Sequence, residues 1–250
     1  MIPVFKSTYS IGKSILTLDE DEIEGGPDSI FTICEENDIK SLVLVEDSMT
    51  GFVTAHNRCK DKDIDLVFGL RLTCCNDTTE DDNSDHKIVV FANDDVGCKL
   101  LYKIYSHAHT GNGKVDFAFL NSVWNDSVEL IIPFYDSFIF NNNFHLRKCV
   151  PDFTKIMPTF WVEENNLPFD ELLKEKVVTF STRIDRPAKR VKSIYYKNKS
   201  DVEALQTYKI ICNRNFGRPA TLSCPNLDHF GSNEFCLESY LEKQNERITT

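Results

Sequence analysis

Several common catalytic and binding signatures are missing from this chain. It has no Cys-x-x-Cys pair, no Gly-x-Ser-x-Gly elbow, no Walker loop and no glycine-rich dinucleotide loop. Zinc-ribbon, α/β-hydrolase, P-loop and Rossmann functions therefore have no motif to support them. Nothing approaches the roughly 18 consecutive apolar residues of a membrane span, and no apolar run follows a basic start. We therefore expect no secretory signal, no membrane partner and a cytoplasmic protein.

Basic residues are scarce relative to acidic ones. The chain carries 28 Lys and Arg against 39 Asp and Glu, for a formal net charge of -11. Proteins that bind nucleic acid through its phosphates usually show the opposite excess, so we expect direct DNA binding to be weak or absent. The main local exception is the basic run Arg183, Arg186, Lys189, Arg190 and Lys192. We interpret this run, like the acidic pair Glu163 and Glu164, as a solvated surface.

Length and cysteine content favour one self-sufficient domain. The 250 residues are 41% hydrophobic, which is enough to bury a substantial core without covalent staples. The nine cysteines are an odd number without paired spacing, which is typical of free thiols in a reducing compartment. No long linker or low-complexity tract divides the chain, so we predict a single domain over residues 1–250.

Short apolar runs alternate with amphipathic segments along the chain. Strands are predicted at residues 39–45, 64–72, 86–92, 128–133, 159–162 and 190–196, with a weaker signal at 177–181. Helices are predicted near residues 30–34, 51–60, 94–108, 169–175 and 201–213, and turns at 141–143 and at Pro151. Repeated strand–helix units indicate an α/β fold with a mainly parallel sheet, for which a closed barrel is one natural solution.

Three segments near the carboxyl end carry a family resemblance. Residues 201–205 read DVEAL, residues 208–212 read YKIIC, and residues 229–237 read HFGSNEFCL. In order and spacing they resemble the end of the polymerase-and-histidinol-phosphatase (PHP) domain of bacterial DNA polymerase III alpha subunits. That family reads acidic-x-E-A-H-D, then L-L-C-I, then F-x-x-x-x-F-Y-L-K-S.

Earlier segments match the same family in the right order. Residues 4–10, VFKSTYS, resemble its opening H-x-H-[ST]-x-[YF]-S, and residues 45–51 resemble its T-D-H turn and following glycine. Residues 67–72, VFGLRL, resemble I-I-G-x-E-x, and residues 86–93 resemble H-L-x-L-L-A-x-N. Residues 191–196, VKSIYY, fall on the family's A-T-N-D-V-H-Y strand. The resemblance therefore covers nearly the whole chain.

The resemblance implies a single PHP-type distorted (β/α)7 barrel, mainly parallel, with a polynuclear Mn, Zn or Mg site at the strand ends. Such metals lower the pKa of a bound water that then attacks a phosphate ester. Carried over residue by residue, most ligands are absent. The family's two opening histidines fall on Val4 and Lys6, and its aspartate–histidine turn falls on Glu46 and Asp47. Its glutamate falls on Arg71, and its late aspartate and histidine fall on Ser193 and Tyr195. Asp136 lies near the position of a family cysteine or histidine.

Two of these replacements are cations. A cation within a few ångströms of a would-be metal disfavours metal binding by several kcal/mol in a partly buried site. We expect Lys6 and Arg71 to pair with Glu46 and Asp47 instead, which would leave a degenerate pocket with no cofactor and no assigned catalytic residue. A remodelled Mn, Zn or Mg site would have to draw on Glu46, Asp47, His86 and Asp136, with His107 or His109 as further donors.

Two functions from different classes follow from the resemblance. The first is a catalytically degenerate PHP-like module in DNA replication, typical of a phage, that binds a DNA polymerase or a proofreading exonuclease from the phage or its host. The chain ends soon after the last motif, so we expect it to lack the palm and fingers. The second is a metal-dependent phosphoesterase or 3′–5′ exonuclease with remodelled ligands. A histidinol-phosphatase-like branch is a third reading, against which the polymerase-like carboxyl-terminal motifs argue.

Overall fold

The computed structural model describes residues 1–19, 25–80, 83–212 and 232–248. Its strands are β1 (Ile2–Phe5), β2 (Ser41–Glu46), β3 (Asp65–Cys75), β4 (His86–Ala92), β5 (Lys114–Asp116), β6 (Val128–Ile132), β7 (Thr159–Val162) and β8 (Ala188–Ile194). Its α-helices are α1 (Ile30–Glu36), α2 (Phe52–Asp61), α3 (Asp95–Thr110), α4 (Phe117–Val123), α5 (Phe138–Phe144), α6 (Asp170–Arg183), α7 (Val202–Cys212) and α8 (Leu237–Ile248). Residues 229–231 of the third family-like segment, and the end of the helix predicted to reach residue 213, lie outside these ranges.

Seven of the strands close into a barrel. Around the ring their order is β2, β1, β8, β7, β6, β4 and β3, and the pairing of β2 with β3 completes the circle. Strand β4 is antiparallel to both of its neighbours, and the remaining ring pairings are parallel. Strand β5 adds to β3 outside the ring. The prediction of an α/β barrel is confirmed at this level, as a closed mixed barrel of seven strands.

The two faces of the barrel strands have separate cores. Side chains alternate in direction along a strand, and outward-facing residues such as Phe5, Leu44 and Leu70 belong to the large core shared with the helices. Inward-facing residues form a second, smaller cluster: Val4, Val45, Val89, Phe91, Ile131, Trp161 and Val191. The inside of the barrel is therefore a packed apolar plug, above which the strand ends carry polar groups.

The narrow interior depends on one glycine. Gly69 of β3 pairs with Phe91 of β4, and a Cβ atom on Gly69 would lie 2.5 Å from Cε1 of Phe91. The Phe91 ring in turn packs on Trp161, with the ring centroids 5.9 Å apart. A side chain at residue 69 would displace the aromatic pair that fills the barrel.

Two local predictions were wrong. Residues 141–143, predicted as a turn because of their three asparagines, lie in α5, which begins because Ser137 accepts a hydrogen bond from the backbone N–H of Phe140 at 3.3 Å. Residues 177–181, with a weak strand signal, lie inside α6, where Leu173 and Val177 are one turn apart and buried. In both cases burial of a helical face outweighs local propensity.

No helix within the described ranges is long and apolar enough to cross a membrane.

Candidate functional site

Five of the sequence-predicted positions meet at one end of the barrel. Val4, Lys6, Arg71, Ser193 and Tyr195 line a single cavity of about 40 Å³, together with Trp161 and Glu163. They come from three strands, or the residues just after them, because β1, β3 and β8 run in the same direction around the ring. Residues far apart in the chain therefore share one small cavity at the carboxyl ends of the parallel strands. We call this cavity and the strand ends around it the barrel mouth.

Lys6 is the most deeply buried cation of this mouth. It is only 4% exposed, and its Nζ atom lies 2.8 Å from Oδ1 of Asp47. Burial lowers the pKa of Lys6, while the neighbouring Asp47 carboxylate opposes that shift. Burial also pushes the pKa of Asp47 upward, but the charges of Lys6 and Arg71 outweigh it and hold that pKa below its usual value. The Asp47 carboxylate therefore stays ionised beside Lys6.

Arg71 pairs with a different acid from the one expected. Its Nη2 atom donates to Oδ2 of Asp136 at 2.7 Å, and Asp136 belongs to the turn after β6. Asp136 has a backbone φ of 59°, in the left-handed region that aspartate tolerates better than most residues. The expectation that Arg71 pairs with Glu46 or Asp47 is corrected in this respect, although Asp47 still contributes to the electrostatic field at Arg71.

Glu46 points away from the cavity and holds a turn together. It is fully buried, and its Oε1 atom accepts a hydrogen bond from the backbone N–H of Ser7 at 2.9 Å. The Ser10 hydroxyl donates to its Oε2 atom and accepts from the backbone N–H of Asp47 at 2.9 Å. Burial raises the pKa of Glu46 against these hydrogen bonds. Glu46 thus ties the segment after β1, which carries Lys6, to the end of β2, which is followed by Asp47.

Glu163 belongs to this mouth, although the sequence placed it on a solvated surface. It is 4% exposed and accepts hydrogen bonds from the backbone N–H and the hydroxyl of Ser193, at 3.1 and 2.9 Å. Asn165 donates to it at 3.1 Å, and burial raises the pKa of Glu163. The signal that could have placed Glu163 is the alternation of side-chain direction along a strand. Because Trp161 points inward, the residue two positions later is expected to point inward as well. Its neighbour Glu164 is exposed and pairs with Arg190 at 3.4 Å.

The basic run around β8 is not a free cationic surface. Lys192 is fully buried, and its Nζ atom donates to Oδ1 of Asn165 at 2.6 Å, which corrects its assignment to a solvated edge. Burial, together with the charge of Lys243, lowers the pKa of Lys192 to about 8. Lys189 lies 3.7 Å from Glu129, so acids close by balance part of the remaining run.

The histidines singled out from the sequence are held by other contacts. His86 is 2% exposed, its Nδ1 atom lies 3.1 Å from the Ser84 carbonyl oxygen, and burial lowers its pKa to about 4. His107 stacks on Phe119 with the ring centroids 3.6 Å apart, and the His109 ring contacts Tyr105 at a tilt of 48° with the centroids 4.1 Å apart. His107 and His109 lie two residues apart on α3, so their side chains point in different directions and do not converge on one point.

The four residues that a remodelled metal site would need first, Glu46, Asp47, His86 and Asp136, are not gathered in one place. Glu46 is turned into the protein, Asp47 is paired with Lys6, and Asp136 is paired with Arg71. His86 and Asp136 do share the wall of a second pocket beside the mouth. Among the residues that the structure describes, no group of three or more His, Cys, Asp or Glu side chains is arranged to hold a metal ion.

Comparison with protein-family models finds no matching family, and comparison with curated proteins finds no match.

The mouth is built for cohesion. A cavity of about 40 Å³ accommodates a few water molecules, whereas pockets for small ligands usually measure about 300–1,000 Å³. Its charged groups are paired with one another or hydrogen-bonded, as at Lys6–Asp47, Arg71–Asp136 and Glu163–Ser193. These contacts tie the end of β1 to that of β2, the end of β7 to that of β8, and β3 to the turn after β6.

The Lys6–Asp47 pair should contribute much more to the free energy of unfolding than a surface ion pair does. Asp47→Asn leaves the buried Lys6 ammonium without its counter-charge and should lower the free energy of unfolding by about 2 kcal/mol, less than a fully buried pair because Asp47 is partly exposed. Lys6→Met in the same chain should recover much of that loss. Urea unfolding of the four proteins in a double-mutant cycle measures the coupling.

The exposed pair Lys40–Asp38 is the matched control, with side chains 77% and 82% exposed. Its coupling should be several-fold smaller than that of the Lys6–Asp47 pair. Equal coupling in the two cycles would contradict a buried ion pair at the mouth.

Stability at alkaline pH should report the burial of Lys192. Its folded-state pKa of about 8 lies below the ordinary 10.5, so between these values the unfolded chain binds a proton that the native protein does not. The free energy of unfolding, measured relative to Lys192→Met, should therefore rise from pH 8 to pH 10.5 by about 3 kcal/mol at most. Lys189→Met, at a half-exposed position, should show no such rise. A flat difference for Lys192→Met would mean that Lys192 titrates normally.

Proposed function

We propose that this chain is a PHP-like domain in which ion pairs and hydrogen bonds have replaced the metal site. In this proposal it acts in phage DNA replication as a structural or protein-binding module for a DNA polymerase or a proofreading exonuclease. In this proposal the fold is the distorted, mainly parallel (β/α)7 barrel of that family.

The convergence of five positions carries the proposal. Aligning short segments with the family's ligand pattern selected eight positions, and five of them line one cavity: Val4, Lys6, Arg71, Ser193 and Tyr195. Two of the other three, Asp47 and Asp136, pair with Lys6 and Arg71 of that cavity. An incorrect register would scatter them, since a shift of one residue along a strand turns a side chain to the opposite face. Their meeting at the strand ends supports the register of the resemblance.

The residues at these positions do not fit a Mn, Zn or Mg centre. Such metals take carboxylate, imidazole or thiolate donors, and these five positions offer an alkyl group, two cations, a hydroxyl and a phenol. Lys6 and Arg71 would repel a divalent ion, and they already engage the acids Asp47 and Asp136. What remains is a rigid barrel end, which suits a module that presents a surface to a partner.

One observation favours the enzymatic alternative, a phosphoesterase or 3′–5′ exonuclease with remodelled ligands. His86 and Asp136 face the same pocket beside the mouth, and both were candidate ligands. Asp136 is partly exposed and would have to release Arg71 to bind a metal. That competition makes the protein-binding role the better supported of the two.

Partner binding tests the proposed role. Native mass spectrometry of the purified chain, mixed separately with a polymerase III alpha subunit and with a proofreading exonuclease from a low-GC bacterium, should detect a stoichiometric complex with one of them. Single-stranded DNA should not displace it, because the chain carries a net charge of -11.

Hydrolysis of a nitrophenyl phosphate diester with added manganese tests the enzymatic alternative. The module account predicts no activity above background. Activity that Asp136→Ala or Asp47→Ala abolishes would establish the enzymatic alternative, and failure to bind any replication protein would remove the proposed role.

A further inference from the structure

The helices α2 and α3 are neighbours on the outside of the barrel. Helix α2 packs on β3 and helix α3 on β4, and these two strands are paired in the ring. The rings of Phe52 in α2 and Tyr102 in α3 lie with their centroids 6.4 Å apart. The two helices therefore share one outer surface, which we call the α2–α3 face.

Aromatic side chains line the flanks by which the two helices approach each other. On α3, Tyr102, Tyr105 and His109 follow one another at intervals of three and four residues, so they form one row along the helix. On α2, Phe52 and His56 are four residues apart, and their rings stack with the centroids 5.9 Å apart. The α2–α3 face thus presents two facing rows of rings.

Part of this apolar surface is open to solvent. Val53 is 58% exposed and Tyr102 is 44% exposed, while Phe52 and Tyr105 are half-buried. The Phe52 ring also packs on the buried Phe68, with the centroids 5.1 Å apart. The exposed side chains are therefore attached to the core through Phe52, and rigid aromatic groups of this kind are typical anchors of protein interfaces.

The charges of the α2–α3 face have the opposite sign to the chain as a whole. Helix α3 has no Asp or Glu between residues 96 and 110, and α2 has none before Asp61. Lys60, Lys99 and Lys103 are exposed, and none of the three forms a salt bridge with any residue that the structure describes. In a chain of net charge -11, this local excess of cations favours an acidic partner.

We propose that the α2–α3 face docks a segment of a partner protein in which an apolar side chain is flanked by Asp or Glu residues. The apolar side chain packs against Val53 and Tyr102, and the carboxylates face Lys60, Lys99 and Lys103. The inference rests on the proposed protein-binding role, and it specifies the surface used and the chemistry of the partner.

A protein segment suits this face better than a nucleic-acid strand does. Three lysines neutralise few phosphates, and the net charge of -11 repels the rest of a strand. The Phe52 and Tyr105 rings also contact His56 and His109, which leaves less ring surface on which bases could stack.

A library of random peptides displayed on phage and selected on the immobilised intact chain tests the proposal. The recovered peptides should combine an apolar residue with neighbouring acids, and a synthetic copy should bind saturably in fluorescence anisotropy. Tyr102→Gln and Val53→Gln should each weaken that binding about tenfold. Lys99→Gln and Lys103→Gln should each weaken it about threefold and reduce its dependence on salt concentration.

Matched control variants lie on α6, at another part of the surface. Val178 is 44% exposed, as Tyr102 is, and Lys176 is exposed like the lysines of the α2–α3 face. Val178→Gln and Lys176→Gln should bind the selected peptide as the wild type does.

Three results would overturn the proposal: no peptide enriched above the level obtained with Tyr102→Gln, enriched peptides without acidic residues, or equal losses in the α6 variants. Displacement of the peptide by oligothymidylate, with binding of that oligonucleotide weakened by Tyr102→Gln, would assign the face to single-stranded nucleic acid instead. The peptide assay does not use a polymerase or an exonuclease. A chain that binds the selected peptide but neither replication protein would therefore retain the docking face and lose the replication role.

Discussion

The narrowness of a seven-strand barrel is the constraint on which the rest of this structure depends. Its interior is filled by an apolar plug of valines, Phe91 and Trp161, so polar side chains directed inward can lie only at the ends. At the carboxyl end one of them is Lys6, which is nearly inaccessible to water. A buried ammonium without a counter-charge would cost several kcal/mol. Asp47 supplies that charge, and Glu46, Ser7 and Ser10 hold the loop that presents it.

Much of the architecture could be predicted because its signals are local. Apolar runs located six barrel strands, and 3.6-residue periodicity located α3, whose Leu100, Leu101 and Ile104 face the core. The errors arose where tertiary burial opposes local preference. The asparagines of residues 141–143 favour a turn in isolation, but the helix carries Phe138 and Phe140 into the core. Short elements such as β5, three residues long, lack enough sequence for any periodicity to emerge.

The site was only partly predictable, for a different reason. Motif order selected eight positions, five of which line the mouth, and it favoured a Lys6 ion pair. The choice of Asp136 as the partner of Arg71 depends on the left-handed backbone of a turn, which no short pattern encodes. Glu163 was hidden by its exposed neighbour Glu164. The burial of Lys192 depends in part on Asn165 and Glu234, which lie in other segments of the chain.

The proposal that a PHP-like mouth has exchanged metals for ion pairs can be tested by reversing the exchange. The variant combines Val4→His, Lys6→His, Arg71→Glu, Ser193→Asp and Tyr195→His. Elemental analysis after dialysis against zinc or manganese should find stoichiometric metal in it. It should find none in the wild type or in a control that carries only the changes at residues 4, 193 and 195, because both cations remain there. A folded five-position variant that binds no metal, or a wild type that carries stoichiometric metal, would contradict the account.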